Sequence, residues 1–379
     1  MRLSTLGYLL SLLTLQSLAR PLDDASPPSG NVTILPIEAF PKPSDLPRLA
    51  IYYQTTHTEA TGGDPISILP LITEKGIALT HLYVCTFHVK YNNIIHLNDF
   101  PPNHPRFRTL WKEVEILRKS GIKVMGMVGG AAPGSYTTQT LDAPLGDPNF
   151  EKYYRQLRDV LRRYKLQGLD LNVEQPMSLP GIIRLVRRLR SDFGPKFIIT
   201  QAPVGTALME YEFPNLSGYS YRELEKAVGR DIAYYNAQFY NGFGSMYTTY
   251  DFDAVVDAGY DPRRIVAGQI TTPENGGPFV PFEELKVTLD ALVQKYGQIG
   301  GVMGWEYFNG LPGGLAEPWE WAQQITAILR SNFPARLVVT KEDAEGLDEA
   351  WEASVGGDAS SLSGGGQGKK PDYWAMVNA

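Results

Sequence analysis

The chain has 379 residues, enough for one large domain or two of ordinary size, and 43% of them are hydrophobic, which supports a substantial core. The formal net charge of −6 at pH 7 provides no basic field for nucleic acid or an anionic membrane, so a neutral or cationic partner is easier to accommodate. The single cysteine, Cys85, excludes an intrachain disulfide.

The amino terminus has the features of an exported protein. Arg2 precedes an apolar run from Leu6 to Leu18, and Ser17-Leu18-Ala19 has the small-x-small pattern of a cleavage site, so residues 1–19 are predicted to be a secretory signal peptide. The run is short for a membrane span. Residues 20–47, rich in Pro, Ser and Asp, are predicted to be an irregular leader. N-glycosylation sequons occur at Asn31-Val32-Thr33 and Asn215-Leu216-Ser217. We therefore expect a secreted, extracellular glycoprotein.

Strand and helix patterns then alternate through residues 48–335. The predicted strands are Leu49–Tyr53, Leu79–Val89, Ile122–Gly130, Gly168–Gln175, Phe197–Ala202, Ile232–Asn241, Ile265–Thr271 and Gly300–Phe308. The predicted helices are Ile66–Glu74, Arg106–Ser120, Asn149–Lys165, Leu179–Phe193, Tyr219–Val228, Phe252–Ala258, Phe282–Tyr296 and Trp319–Phe333. Eight strand and helix pairs, with no second alternating block, predict the α/β class and a single (β/α)8 TIM barrel, not a doubly wound sheet.

The fourth predicted strand is the most informative segment. Asp170, Asn172 and Glu174 alternate there with apolar residues, the period of two that a strand with two different faces requires. Alternation alone also fits an antiparallel edge strand with a wet polar face. The amphipathic helices on both sides favour a parallel barrel strand with Glu174 near its carboxyl end, where such barrels carry their chemistry. Burying a row of polar side chains costs folding free energy, and such rows are typical of active sites.

Other predicted strands end in aromatic and amide side chains. These ends are Tyr52-Tyr53, Gln201-Ala202-Pro203, Gln238-Phe239-Tyr240-Asn241 and Gly301–Glu306. Aromatic faces stack on the C–H surfaces of sugars and amides pair with hydroxyls, so this composition around one acid indicates a sugar site. Taken singly, Tyr52 and Trp305 also fit core aromatics, and a Gln or Asn at a strand end also fits a loop cap.

These motifs resemble one enzyme family. Gln167 to Glu174 fits Q-x-x-D-x-N-x-E and resembles D-x-x-D-x-D-x-E on the fourth strand of the TIM barrel of family 18 glycoside hydrolases, the chitinases and their relatives. Four segments resemble plant-type (class III) chitinases: Ala50-Ile51-Tyr52, Gln201-Ala202-Pro203, Gln238-Phe239-Tyr240-Asn241 and Gly300–Trp305. The resemblance covers roughly Arg48 to Phe333. It departs at Met127-Val128-Gly129-Gly130, where the family usually has S-x-G-G, and at two amides that replace acids, Gln167 and Asn172.

The resemblance implies substrate-assisted, retaining hydrolysis, in which the 2-acetamido carbonyl of the sugar attacks the anomeric carbon. It implies that Glu174 is the general acid and then the base, that Asn172 orients the acetamide, that Asp170 is the supporting acid and that Tyr240 hydrogen-bonds the acetamide carbonyl. The substrate-binding residues that it implies are Tyr52, Gln201, Gln238, Asn241 and Trp305, the last as a hydrophobic floor.

The two amides change the expected chemistry. Asn172 accepts a hydrogen bond but contributes no charge, and losing such a stabilising interaction commonly costs about 2.7–4 kcal/mol, or roughly 10²–10³ in rate. Family 85 endo-N-acetylglucosaminidases resemble this arrangement, with an Asn two residues before the catalytic Glu, and they are active. The amides also remove repulsion that would raise the pKa of Glu174, leaving Asp170 and burial to raise it, so we expect an acid-shifted pH optimum.

Several functions remain open at this point. The first is a hydrolase acting on β-1,4-linked N-acetylglucosamine in chitin or chito-oligosaccharides. The alternatives are an endo-N-acetylglucosaminidase acting on N-glycan cores, a chitin-binding lectin that has lost turnover, and a hydrolase for a different acetamido sugar. Retention of Glu174 favours an enzyme, whereas the amides favour the lectin. The expected partner is an oligosaccharide or polysaccharide containing N-acetylglucosamine, with no nucleic acid or membrane, and the protein is expected to be a monomer.

No metal or nucleotide cofactor is predicted, since no Gly-rich phosphate loop follows a strand and the histidines lack close helical or Cys-paired spacing. The histidines are His57, His81, His88, His96 and His104.

Residues 336–379 turn acidic beyond about Thr340 and then Gly- and Ser-rich through Ser360–Gly368, so a disordered tail is predicted. This tail has no terminal apolar run of the kind that a lipid anchor requires.

Overall fold

A computed structural model describes residues 46–60, 62–331, 339–355 and 370–378. The predicted signal peptide, the Asn31 sequon, nearly all of the leader and the stretch Ser360–Gly368 lie outside the described residues. Within the part of the chain that is described, no helix is both long and apolar enough to span a membrane.

Parallel strands of the described chain close into a ring. The strands are β1 (Arg48–Tyr53), β2 (His57–Glu59), β3 (Gly62–Pro65), β4 (His81–His88), β5 (His96–Leu97), β6 (Lys123–Gly129), β7 (Gly168–Asn172), β8 (Ile198–Gln201), β9 (Tyr234–Gln238), β10 (Ile265–Ile270) and β11 (Gly301–Trp305). The parallel strands pair in the order β1-β11-β10-β9-β8-β7-β6-β4, and pairing of β1 with β4 closes the barrel. β5 pairs antiparallel with β4, while β2 and β3 form a separate hairpin. Closure leaves the barrel with no unpaired edge.

Helices alternate with the barrel strands. They are α1 (Pro70–Thr73), α2 (Arg108–Lys119), α3 (Pro148–Arg163), α4 (Leu179–Phe193), α5 (Tyr221–Val228), α6 (Tyr250–Asp257), α7 (Phe282–Tyr296), α8 (Glu320–Leu329) and α9 (Lys341–Val355). Side-chain caps begin several of them, because Asp147, Ser178 and Ser220 accept hydrogen bonds from the first-turn N–H groups of α3, α4 and α5. Each barrel strand is followed by one of the helices α1 to α8, which confirms the predicted single (β/α)8 barrel.

Strand alternation divides the core into two layers. On β7, Leu169 and Leu171 belong to the large apolar cluster between strands and helices. Asp170 and Asn172 point the other way, into the barrel, where a smaller inner cluster is formed by residues such as Tyr52 and Met127. The period of two in the sequence therefore separates a dry outer layer from a polar interior.

Two element boundaries differ from prediction in ways that matter for the site. β7 ends at Asn172, so Glu174 lies in the loop just beyond the strand. The first helix is only the four-residue α1, because residues 66–69, which were predicted to be helical, precede it and are bonded to α2 instead. The carboxylate of Glu113 on α2 accepts hydrogen bonds from the Ser67 hydroxyl (2.7 Å) and the Ile68 N–H (2.8 Å). Burial raises the pKa of Glu113 to about 7.

The loop after β8 contains the second sequon. The Asn215 amide nitrogen donates to the Tyr219 carbonyl oxygen (2.8 Å), and its oxygen accepts hydrogen bonds from the Ser217 N–H (2.9 Å) and hydroxyl (2.8 Å). Ser217 is buried. Both polar atoms of the asparagine that would carry a glycan are therefore engaged in the folded chain.

Residues 341–355 correct part of the prediction of a disordered tail. Lys341–Val355 form α9, which packs against α2 through the buried side chains of Ala344, Leu347 and Trp351. The Ser354 hydroxyl accepts a hydrogen bond from the Thr109 hydroxyl (2.9 Å) across this contact. The prediction was wrong here because acidic composition outweighed a short apolar stripe at helical spacing, whose burial against α2 supplies the stability.

We expect Leu347→Ala to lower the free energy of unfolding by about 2–5 kcal/mol, because the side chain is fully buried between α9 and α2. Denaturant-induced unfolding measures this change. Glu345→Ala, on the exposed face of the same helix, is the matched control and should leave the free energy nearly unchanged. Equal stability of the two variants would contradict the packing of α9 on the barrel.

Candidate active site

Three polar side chains stand in order along β7 and its loop. Asp170 is fully buried, Asn172 is 5% exposed, and Glu174 is partly exposed at the carboxyl end of the barrel. The parallel strands on both sides, β6 and β8, direct their carboxyl ends to the same mouth. The row therefore runs from the closed interior of the barrel to a position that a ligand can reach.

Asp170 is held by hydrogen bonds from three other strands. Its carboxylate accepts from the hydroxyls of Tyr52 (2.8 Å) and Thr200 (2.5 Å), and from the Asn236 amide (3.2 Å). Burial raises the pKa of Asp170 to about 6, although these three donors stabilise the ionised form and oppose the shift. The charge at the base of the site is therefore fixed in place by β1, β8 and β9.

Glu174 is held by two amides. The Asn172 amide donates to Glu174 Oε1 (2.8 Å), and the Gln238 amide lies 3.3 Å from the same oxygen. Gln238 also donates to the side-chain oxygen Oδ1 of Asn172 (3.3 Å) and to the Ala202 backbone carbonyl (2.9 Å). Burial raises the pKa of Glu174 above its ordinary value, while the two amide donors lower it. The result is a carboxyl group that holds its proton more tightly than an exposed glutamate does.

The end of β6 fixes the end of β7. The Gly130 N–H donates to the backbone carbonyl oxygen of Asn172 (2.8 Å). Gly129 has a φ of 104°, and a Cβ at this position would lie 2.2 Å from the same oxygen. Only glycine permits this approach, so the Gly-Gly pair that the sequence places after the third strand positions Asn172 and, through it, Glu174.

Aromatic side chains line the interior of the barrel beside the polar row. The rings of Tyr52 and Tyr83 stack with centroids 4.5 Å apart, and the Trp305 ring lies 5.6 Å from Tyr52. Tyr240 is 6% exposed, and burial together with the charges of Glu174 and Asp170 raises the pKa of its phenol well above the usual range. Tyr240 therefore keeps its proton and remains a hydrogen-bond donor.

Two residues predicted to bind substrate lie elsewhere. Gln201 is fully buried, shares the outer face of β8 with Ile199, and accepts a hydrogen bond from the Tyr219 hydroxyl (3.2 Å). Thr200 takes the inner position, because successive strand residues face opposite ways. Asn241 is exposed, but its carbonyl oxygen accepts from the Gly277 N–H (2.9 Å), so it joins two loops.

Sequence reasoning missed Thr200, Asn236 and Glu306. The sequence did contain a signal for Asn236. It lies two residues before Gln238 on β9, so both side chains are on the same face of the strand. Glu306 follows Trp305 and accepts hydrogen bonds from the Thr55 N–H (2.7 Å) and hydroxyl (3.0 Å), which ties the end of β1 to the Trp305 segment. No local pattern marks such a partner, because the two residues are far apart in the chain.

The described residues include no cluster of three or more His, Cys, Asp and Glu side chains arranged to hold a metal ion. What the site offers is a proton donor with a raised pKa, amides of fixed orientation, a phenol that donates, and an aromatic surface. Such a set can protonate a leaving oxygen and bind a neutral polyhydroxylated ligand.

Comparison with known proteins gives relatives of known structure. No family model and no curated protein matches the chain. A fungal endo-β-N-acetylglucosaminidase from glycosyl hydrolase family 18 is 59% identical, with a TM-score of 0.73, over 76% of this chain and 100% of that one. A chitinase from Aspergillus fumigatus is 46% identical, with a TM-score of 0.66, over 74% of this chain and 98% of that one. A family 18 chitinase from Pseudoalteromonas aurantia, at 19% identity, a TM-score of 0.58 and coverage of 74% and 100%, shows the fold alone.

Proposed function

The chain belongs to glycoside hydrolase family 18 and is a chitinase-like glycosidase, and on that basis we propose that it cleaves β-1,4-linked N-acetylglucosamine in chitin or chito-oligosaccharides by substrate-assisted, retaining catalysis. The observation that carries the proposal is the position of Glu174, partly exposed at the barrel mouth and hydrogen-bonded by Asn172 and Gln238. Of the two acids in this row, Glu174 is the one that a ligand can reach, since Asp170 is fully buried.

Glu174 acts first as a general acid in the proposed reaction. It gives its proton to the glycosidic oxygen as the bond from that oxygen to the anomeric carbon breaks. The acetamido carbonyl oxygen of the same sugar forms the new bond to the anomeric carbon, which produces an oxazolinium ion. Glu174, now a carboxylate, takes a proton from water, which attacks the anomeric carbon and reopens the ring with retained configuration.

Asn172 and Tyr240 position the acetamide. The Tyr240 phenol is a donor suited to the acetamide oxygen, which must accept a hydrogen bond in the orientation for attack. The side-chain oxygen of Asn172 is a matching acceptor for the acetamide N–H. Its hydrogen bond from Gln238 is long, at 3.3 Å, and so leaves the oxygen able to accept a second one. Its amide nitrogen already donates to Glu174, so Asn172 joins the nucleophile of the substrate to the acid of the enzyme.

Asp170 supports this arrangement without touching the sugar. It is fully buried beneath Asn172, and its oxygens accept from Tyr52, Thr200 and Asn236. Since Asn172 is neutral, position 172 offers no charge of its own to offset the positive charge of the oxazolinium ion, and Asp170 lies deeper in the barrel. Charge stabilisation is therefore weaker than an adjacent carboxylate would provide.

Two other functions have support from particular observations. The relative with 59% identity is an endo-β-N-acetylglucosaminidase, which favours cleavage in N-glycan cores as the second candidate. The amide at position 172 favours a chitin-binding lectin as the third, because it removes charge from the site. Retention of Glu174 in its hydrogen-bonded position favours an enzyme over the lectin.

Glu174→Gln is expected to abolish product release from chito-oligosaccharides while binding persists, because glutamine has no proton to give but keeps the shape of the side chain. Product analysis and calorimetric binding on chitin oligomers and on a high-mannose glycoprotein separate the candidates. Glu59→Gln, which changes an exposed glutamate on β2, is the control and should retain full activity. Binding by the wild-type protein without any release of product would establish the lectin.

Asn172→Asp is expected to raise the rate by roughly 10²–10³ and to move the alkaline limb of the pH–rate profile upward. Activity requires protonated Glu174, so it falls as pH rises through the pKa of that carboxyl. A new carboxylate beside Glu174 raises this pKa, and the proton is kept to higher pH. Profiles of both proteins on a chromogenic chito-oligosaccharide measure the shift. A neutral pH optimum for the wild-type protein would contradict the prediction. So would alkaline limbs that lie at the same pH in the wild-type protein and the Asn172→Asp variant.

We further propose that the protein is secreted and that residues 1–19 are removed. Its support is the Arg2 residue, the apolar run from Leu6 to Leu18 and the small-x-small sequence that follows. Expression in a secretory host should release the protein into the culture medium, with an amino-terminal sequence that begins at Arg20. Leu12→Arg, which interrupts the run, should keep the protein inside the cell. Secretion of both forms with Met1 intact would contradict the proposal.

A further inference from the structure

The loop from Thr271 to Pro281, between β10 and α7, joins the two aromatic sides of the site. On one side, the Thr271 N–H donates to the Trp305 carbonyl oxygen (2.9 Å), and the Asn275 amide lies 3.3 Å from the same oxygen. Asn275 also exchanges hydrogen bonds with Asn309 (2.9 and 3.0 Å). This side of the loop is therefore tied to the segment that carries the proposed floor of the cleft.

The opposite side of the loop is tied to the end of β9. The Asn241 N–H donates to the Gly277 carbonyl oxygen (2.5 Å), and the Gly277 N–H donates back to the Asn241 side chain (2.9 Å). Gly276 has a φ of 146°, and a Cβ there would lie 2.3 Å from Asn241 Oδ1, so the contact requires glycine. Since Asn241 directly follows Tyr240, the loop is anchored next to the proposed acetamide donor.

The loop presents one aromatic ring at the site. Phe279 is half-buried and packs against the inner cluster, in which Ile270 ends β10 and Tyr240 follows β9. Trp305 packs against the same cluster. The Phe279 carbonyl oxygen accepts a hydrogen bond from the hydroxyl of Tyr247 (3.2 Å), whose side chain is 42% exposed. Phe279 thus packs against the inner cluster and, edge to face, against the Phe282 ring (6.0 Å between centroids), and part of its side chain stays exposed.

We propose that Phe279 is a specificity-determining residue whose ring forms a side wall of the cleft and stacks against a sugar adjoining the one bound on Trp305. The loop that carries Phe279 is positioned by three residues, Asn241, Asn275 and Tyr247. The inference rests on the proposed function, since it assumes a β-linked acetamido saccharide in the cleft. It also gives Asn241 a different role from direct sugar binding.

The chemistry of the ligand favours this role. A β-linked sugar presents flat C–H faces, and neighbouring residues of the chain present them in different directions, so one floor cannot contact them all. A second ring fixed by backbone hydrogen bonds loses little conformational entropy when a sugar stacks on it. Phe279 keeps part of its surface exposed, whereas Phe239 and Phe252 are buried completely.

Phe279→Ala is expected to raise KM for chito-oligosaccharides of four or more residues by roughly three- to tenfold, with kcat nearly unchanged. KM for the shortest cleaved substrate should change less than twofold, because that substrate does not reach the wall. Phe279→Tyr keeps the flat ring and should restore the wild-type KM. Phe279→Leu keeps apolar packing without the ring and should resemble the Ala variant, which provides a test if the Ala variant folds poorly.

The positioning role is tested at Asn241. Asn241→Gly tolerates the positive φ of 57° but removes the acceptor for the Gly277 N–H, so it should raise the same KM values by a smaller factor. Asn241→Asp keeps the acceptor and should retain the wild-type KM. Trp374→Ala removes an aromatic ring that is 44% exposed and hydrogen-bonded to Asp348 on α9, and it should change neither constant.

The outcomes separate this inference from the proposed function. Equal KM changes for all substrate lengths, or none in Phe279→Ala and Phe279→Leu, would overturn the wall while leaving the hydrolase intact. A loss of kcat in Phe279→Ala would also overturn it, because the ring would then act on the reacting sugar. If the wild-type protein neither binds nor cleaves any chito-oligosaccharide, the proposed function fails, and the inference about Phe279 falls with it.

Discussion

The site depends on satisfying a row of polar groups inside a barrel. Asp170 is removed entirely from water, and three donors from three other strands stabilise its charge. Without them an ionised carboxylate at this depth would be strongly disfavoured. Asn172 and Glu174 follow at the mouth, where the Gly130 N–H donates to the Asn172 backbone carbonyl oxygen. Burial at the base and access at the top are consequences of one strand crossing from the interior to the surface.

The amide at position 172 makes the site less charged but not less ordered. Asn172 donates to Glu174 and accepts from Gln238, so both of its polar atoms are used and its orientation is determined by its neighbours. A carboxylate here would instead repel Glu174 and raise its pKa further. The chain thus has a proton donor whose pKa is raised by burial alone, and a weaker electrostatic complement to positive charge.

Hydrogen bonds link the loops beyond the strands to one another. Glu306 ties the end of β1 to the Trp305 segment, and Asn241 and Asn275 tie the loop after β10 to both of its neighbours. Short polar links of this kind preorganise a binding surface, so that little ordering remains to be done when a ligand arrives. The cleft is therefore a set of coupled loops supported by a rigid barrel.

The sequence by itself predicted the repeated alternation of strands and helices, the two faces of β7 and the place of Glu174 near the carboxyl end of that strand, because each follows from the order and periodicity of residues along the chain. Only the tertiary structure decided that Thr200 and Asn236 hold Asp170, that Gln201 faces outward, that Asn241 joins loops, and that Lys341–Val355 fold onto α2. These contacts join residues far apart in the chain. Strand register and barrel closure determine them, and no local pattern carries that information.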